Sequence, residues 1–233
     1  MIRLFIGHDH VENVAFNVMS NSVQRHSSQP VAIAQVSLRQ LRNVLTRERH
    51  PLQSNDFSFS RWLVPYMCEY NGWAIWADCD MLFMGDIADL WDLRDDRYAV
   101  QVVKHKHVPR ETTKFLGTKQ TAYERKNWSS VIMFNCAKCR ALTPDYVNSA
   151  DGLDLHQFKW LGDDQIGNLP PEWNFLVGYQ DAAALDVPVK NAHFTIGGPY
   201  FEAYKNTEFA KEWWDEYRDM LYCAEPAAMN NMK

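Results

Sequence analysis

The sequence predicts an α/β fold: a single domain with one mixed sheet flanked by helices. Two apolar runs, Ile2 to Ile6 and Val31 to Val36, are separated by an amphipathic stretch, which is the strand-helix-strand opening of an α/β sheet. Trp73 to Ala77 follows Gly72 as a buried central strand and runs straight into Asp78-Cys79-Asp80. No linker-like stretch interrupts the 233 residues, a length that suits one large domain.

The first strand closes on Gly7-His8-Asp9-His10, a polar turn at the carboxyl end of a parallel strand, where ligands gather in such sheets. Glu12 to Arg25 sets Val14, Val18, Met19 and Val23 on one helical face, and Pro30 then introduces the second strand. Leu38 to Leu52 is polar and basic, a helix followed by a loop. Phe57 to Met67 reads as helical, with Pro65 kinking it or limiting it to separate turns. Arg61 stands there among apolar residues, either facing an anion or snorkelling at the helix edge. Gly85 to Trp91 begins a short helix capped by Asp86, and Tyr98 to Val103 is a strand.

From Lys104 to Asn127 runs a basic segment with Lys104, His105, Lys106, His107, Arg110, Lys114, Lys119, Arg125 and Lys126. It suits a lid, a partner-binding loop or a solvated charge run. Val131 to Phe134 restores a buried strand between Ser129-Ser130 and Asn135. Residues 145–160 are helix-prone and end at Gly162-Asp163-Asp164-Gln165; Pro170 to Asn174 is a rigid connector. Val187 to Ala192 gives a last strand, closing on His193 and Gly197-Gly198-Pro199. Phe201 to Tyr222 is an amphipathic helix in which Trp213-Trp214 serves core packing, so the domain covers 1–224 and 225–233 form a flexible tail.

A net charge of -5 argues against a general nucleic-acid binder, which needs a basic face to displace counterions. No apolar run approaches the ~20 residues of a membrane span. Met1 to Ile6 lacks the length and cleavage site of a signal peptide, so a cytoplasmic location is expected. Five scattered cysteines suit reduced thiols, and Cys136-Ala137-Lys138-Cys139 has no second pair or suitably spaced histidine to make a zinc site.

The chemistry centres on Asp78 and Asp80. Side chains alternate along an extended chain, so both carboxylates can point one way while Cys79 turns inward. Two hard oxygen donors suit Mn²⁺ or Mg²⁺, which also take phosphate oxygens. Polar clusters end three strand-like runs: Asp78 with Asp80, Asp163 with Asp164, and His193 with Gly197-Gly198.

In order and spacing these clusters resemble the glycosyltransferases of the GT-A fold, especially the retaining family that includes glycogenin and the bacterial lipopolysaccharide galactosyltransferases. The likeness spans nearly the whole chain, from Gly7-His8-Asp9 through Ser60-Arg61, Asp78 to Asp86, Ser129 to Asn135 and Asp163 to Asn168 to His193. It implies a GT-A-type, Rossmann-like mixed sheet and transfer of a sugar from a nucleoside diphosphate donor, with UDP the expected nucleotide. The acceptor would be a hydroxyl of a glycan, a lipid-linked sugar or a small molecule, and the anomeric configuration would be retained. The resemblance implies Mn²⁺ (or Mg²⁺) on Asp78, Asp80 and His193, and donor contacts from Gly7, His8, Asp9, Arg61, Asp78, Ser129, Gly197 and Gly198. Asp163, Asp164 and Gln165 would be catalytic: the family's Asp-Gln pair aligns with Asp163-Asp164 or with Asp164-Gln165, and Asp163 or Asp164 would steady the oxocarbenium-like transition state.

The chain departs from the family at two places. A lysine usually stands six residues after the late histidine, where this chain has Pro199, leaving Lys205 or a lid residue such as Arg110 to meet the phosphate. Trp128, Ser129 and Ser130 replace the family's Asn-Ala-Gly. Two other readings share some of these residues. Haloacid-dehalogenase-like phosphatases also use Asp-x-Asp and a later Gly-Asp-Asp, but want threonine or valine where Leu82 stands and place the first motif near the start of the fold. A non-catalytic nucleotide-sugar binder would keep the site without turnover.

Overall fold

A computed structural model describes residues 1–49, 53, 55–106, 115–117 and 124–222. The first strand, β1 (Ile2–Gly7), leads through a 3-10 turn at His10–Glu12 into α1 (Asn13–His26) and then β2 (Val31–Val36). α1 buries Ala15, Val18, Met19, Ser22 and Val23, a stripe at helical spacing that packs on the sheet. A 3-10 turn, Ser60–Leu63, passes into α2 (Val64–Met67). Pro65 sits in the first turn of α2, where its missing N–H leaves no intrahelical bond unmade. The run from Phe57 to Met67 is thus limited to separate short turns, one of the two outcomes expected of Pro65.

Next come β3 (Trp73–Ala77), β4 (Met81–Phe83), α3 (Ile87–Trp91) and β5 (Val100–Val102). As expected, Asp86 caps α3, accepting from Ala88 N–H; it also takes Ser28 N–H just past α1. β6 (Val131–Asn135) is followed by α4 (Pro144–Ser149) and α5 (Gly152–His156). The helix-prone run over 145–160 is split in two: α4 ends at Ser149, and Asp151 then caps α5 through Leu153 N–H. The chain finishes with β7 (Ile166–Asn168), β8 (Phe175–Leu176), β9 (Asn191–His193) and α6 (Ala210–Leu221). β9 is shorter than the strand expected from Val187 because Pro188 has no N–H to donate to a ladder. α6 starts later than expected, after Phe209 at φ 59°, a left-handed residue that ends any helical run before it.

The main sheet has the order β2-β1-β3-β6-β5-β7, with β1 parallel to β2 and β3, and β6 antiparallel to both β3 and β5. A second sheet, β4-β9-β8, stands apart from it. β3 lies in the middle of the main sheet, fully buried from Ala74 to Ala77, and it forms the core with Ile2, Leu4, Ile6, Met133 and Phe134. Beneath the second sheet, Leu82, Phe175, Phe194 and Trp213 make a smaller cluster with Val18. Trp213 is fully buried and stacks on Tyr217, so its role is packing. Cys68, Cys79, Cys136 and Cys139 are buried free thiols, and no helix among the described residues is long and apolar enough to cross a membrane.

Gly7 ends β1 under two aromatic rings. A Cβ there would lie 2.5 Å from Phe57 and 2.8 Å from Trp76, both fully or nearly fully buried. Gly7→Ala is therefore expected to cost about 1–3 kcal/mol through overpacking. Urea denaturation measures this; stability equal to the native protein would show that the rings can yield.

Candidate metal centre and donor site

β3 delivers Asp78, and the chain bends at Cys79-Asp80 to enter β4 in the other sheet. The carboxylates converge because of this bend between two sheets, not through the alternation of one extended strand. Cys79 is buried, as expected, and burial pushes its thiol well up, so it stays protonated. β9 runs antiparallel to β4 with His193 opposite Met81, and Phe194 N–H donates to the Asp80 carbonyl at 2.9 Å. The second sheet thereby brings His193 to the acids from more than a hundred residues away in sequence. Ligand atoms of Asp78, Asp80 and His193 all lie within 4.8 Å of one another, and all three side chains are buried.

The network around His193 sets its tautomer. Asn174 Nδ2 donates to the Asn127 carbonyl at 3.0 Å, which turns Asn174 Oδ1 toward His193 Nδ1 at 2.9 Å. Nδ1 thus donates to Asn174 Oδ1, and Nε2 is left 3.5 Å from Asp80 Oδ1, on the side of the acids. Two carboxylates and an imidazole nitrogen brought together in a buried site favour a cation among them. Two carboxylates and an imidazole nitrogen are also a donor set that Mn²⁺ accepts. The residues fit the metal.

Asp78 is bound from three sides. Trp76 Nε1 donates to its Oδ1 at 2.9 Å, Arg61 Nη1 lies 3.0 Å from the same oxygen, and its backbone N–H donates to the Ser130 carbonyl at 3.0 Å. Burial pushes the Asp78 carboxyl above its ordinary range and the charge of Asp80 adds to this, while Arg61, His193 and Trp76 pull it back. Arg61 is 3% exposed, so it faces an anion and does not snorkel. It also donates to the carbonyl of Ser129 at 2.6 Å and to its Oγ at 3.3 Å.

Ser129 Oγ in turn bonds His156 Nδ1 at 3.0 Å. Burial, helped by Arg61, Lys126 and Arg47, holds the His156 imidazole well below its ordinary value and therefore neutral. The unfolded chain takes up a proton there near pH 6.5 that the folded chain refuses, so this contribution is complete above 6.5 and is lost as pH falls below it. Native stability is expected to fall by ~1.4 kcal/mol per pH unit below 6.5 from this group alone. His156→Gln should remove that part of the slope in urea titrations from pH 7 to 5; an unchanged slope would contradict it.

At the first turn, His8 is half-buried and bonds Asn13 Oδ1 at 3.0 Å. Asp9 is buried and committed to the loop: it accepts from Val11 N–H at 3.1 Å and Asp56 N–H at 2.9 Å. Gly197 and Gly198 leave room for rings: a Cβ would stand 2.4 Å from Tyr204 and 2.2 Å from Tyr200, respectively. Tyr200 donates to Glu12 Oε1 at 2.6 Å, tying the glycine loop to the first turn.

Asp163, Asp164 and Gln165 lie outside the metal cluster. They precede a strand and do not follow one, forming an exposed 3-10 turn at the start of the edge strand β7. Asp163 accepts from Arg125 Nη2 at 2.6 Å, and Arg125 sits 5.3 Å over the Trp128 ring, next to Ser129. Gln165 Oε1 accepts from Gly162 N–H. Lys205 is exposed and pairs with Glu202. Arg110, His107, Lys114 and Lys119, like the tail, are outside the described residues. The sequence reading missed Asn174 and His156, since a buried amide in a connector and a histidine at a helix end carry no spacing signal.

No family model matches the chain. It is 44% identical over 223 residues to Protein CDI of Arabidopsis thaliana, spanning 93% of this chain and 86% of that protein. Glycosyltransferase GlyB of Streptococcus pneumoniae is 23% identical over 228 residues, spanning 91% of this chain but only 54% of GlyB. Among solved structures, galactosyltransferase LgtC in complex with donor and acceptor sugar analogues has a TM-score of 0.64 at 13% identity, covering 98% of this chain and 99% of LgtC. The bifunctional glycosyltransferase WbbM in its apo form has a TM-score of 0.66 at 14% identity, covering 98% of this chain and 50% of WbbM. The fold is that of the GT-A glycosyltransferases, a single domain with a mixed sheet flanked by helices.

Proposed function

This chain belongs to the family of Protein CDI, and from that premise and its GT-A fold we propose that it is a metal-dependent glycosyltransferase. It moves a sugar from a nucleoside diphosphate donor, UDP being the nucleotide expected, to an acceptor hydroxyl, with retention at the anomeric carbon. One observation carries the reading: Nε2 of buried His193 lies 3.5 Å from Asp80 and beside Asp78, at the carboxyl end of the central strand.

Asp78, Asp80 and His193 are the residues that would hold Mn²⁺ (or Mg²⁺), with Asn174 fixing the imidazole. When bound, the ion supplies Lewis-acid stabilisation of the charge that grows on the departing diphosphate. Arg61 stands on Asp78 and Ser129, where its remaining N–H groups can meet the donor. His8 and Asp9 shape the nucleoside end, Asp9 by fixing the turn, and Gly7 by admitting Phe57 and Trp76. Gly197 and Gly198 bring backbone to the diphosphate side, held by Tyr200 on Glu12. We assign Asp163, Asp164 and Gln165 to the acceptor side of the sugar, where the Asp163–Arg125 pair adjoins Trp128 and Ser129.

The test is a thermal-shift screen of nucleotide sugars with and without Mn²⁺, followed by assay of slow donor hydrolysis. Mn²⁺-dependent stabilisation and hydrolysis by one donor class are expected. Hydrolysis of a simple phosphomonoester instead would replace the reading with a phosphatase, and binding without any turnover would reduce it to a binder.

A further inference from the structure

Past the carboxyl end of β2 the chain forms a cavity of about 440 Å³ lined by Arg39, Arg42, Arg47, Arg49 and Phe59 among others. Its wall is built into the fold. Arg47 donates to the carbonyls of Val147 at 2.7 Å and Ala150 at 3.2 Å and lies 3.6 Å over the Phe59 ring. The N–H groups of Thr46 and Arg47 both donate to Asn148 Oδ1, at 2.8 and 3.1 Å.

The charges there do not cancel. Arg49 pairs with Asp56, and Asp151 lies near enough to Arg47 to act on it, but Arg39 and Arg42 are exposed and meet no carboxylate among the described residues. Four arginines line this one concavity; Arg47 is spent on backbone carbonyls and Arg49 on Asp56, which leaves the positive charges of Arg39 and Arg42 at its rim for an anion to meet. Their planar forks match the two oxygens of a phosphate or carboxylate.

The cavity adjoins the donor site. Phe59, its inner wall, has its ring 5.9 Å from that of His156, which bonds Ser129, and Arg61 two residues on from Phe59 holds Asp78. The donor's own phosphates belong with the Asp78, Asp80 and His193 cluster, so an anion in this cavity belongs to the other substrate. We propose that the arginine cavity binds an oxyanion, phosphate or carboxylate, carried by the acceptor. The word acceptor rests on the glycosyltransferase reading; the anion rests on the cavity alone.

Inorganic phosphate and a uronic acid are titrated, without added metal, into the native protein, the Arg39→Glu/Arg42→Glu double variant and the Asp80→Ala variant. Calorimetry or NMR shifts should show that the native protein and Asp80→Ala bind alike and that the double variant binds at least tenfold more weakly. Absence of binding to the native protein, or equal binding by the double variant, overturns the site. A sugar phosphate, a uronic acid and a neutral sugar are then compared as acceptors, with donor hydrolysis followed in parallel. A preference for the anionic acceptors that the double variant loses, while its donor hydrolysis is unchanged, supports the assignment. The two anionic arms show which oxyanion is used. Equal transfer to the neutral sugar overturns the acceptor role. Anion binding by a protein that turns over no nucleotide sugar leaves the cavity's ligand standing and ends the glycosyltransferase reading.

Discussion

Asp80→Ala is expected to lower Mn²⁺-dependent turnover of the protein's nucleotide sugar at least a hundredfold while leaving the fold intact. A bound metal stabilises a departing phosphate by several kcal/mol, and each ~1.4 kcal/mol is a factor of about ten in rate. If Asp78, Asp80 and His193 hold the ion as proposed, the change would remove one of its three ligands and leave Nε2 of His193 without the Asp80 carboxylate beside it. The backbone is little disturbed, because the bond from Phe194 N–H goes to the carbonyl of Asp80, which alanine retains. Steady-state kinetics against Mn²⁺ concentration, with circular dichroism as the control for folding, check both halves. Turnover within threefold of native would remove Asp80 from the metal centre.

Arg61→Ala should cost about 3–5 kcal/mol of stability, because it leaves the buried Asp78 carboxylate without its guanidinium. The same change leaves the carbonyl of Ser129 without its donor at 2.6 Å and opens the wall beside Asp78. Pairing it with Asp78→Asn tests the cause, since removing both charges costs less than the sum of the single changes. Urea denaturation of the two single variants and the double variant gives the coupling. A cost below ~1 kcal/mol for Arg61→Ala, or strict additivity, would mean that the pair is solvated after all.

Much of this architecture is legible in the sequence because it rests on periodicity. Ile2 to Gly7, the α1 stripe and Trp73 to Ala77 show their burial as patterns of apolar residues, and the fold follows from their order. The second sheet is not legible. Met81–Phe83 follows β3 after only Asp78-Cys79-Asp80, with no glycine or proline to mark a change of sheet, and only the bend there separates the two strands. β7, β8 and β9 are two or three residues long, too short to show alternation. The pairing of His193 with Asp80 was therefore reached by resemblance, while its geometry comes from β9 lying beside β4. Asp163 and Asp164 show the limit of sequence spacing. The turn that holds them begins a strand at the edge of the sheet, and of the two only Asp163 bonds Arg125, whose guanidinium lies over the Trp128 ring beside Ser129.

The most direct measurement is anomalous diffraction from crystals grown with Mn²⁺ and UDP. The account predicts one manganese peak in contact with Asp78, Asp80 and His193 Nε2, with Nδ1 still on Asn174. A peak at another group of acids, such as Asp9, His10 and Asp56, or UDP bound with no metal between the triad and its phosphates, would contradict it.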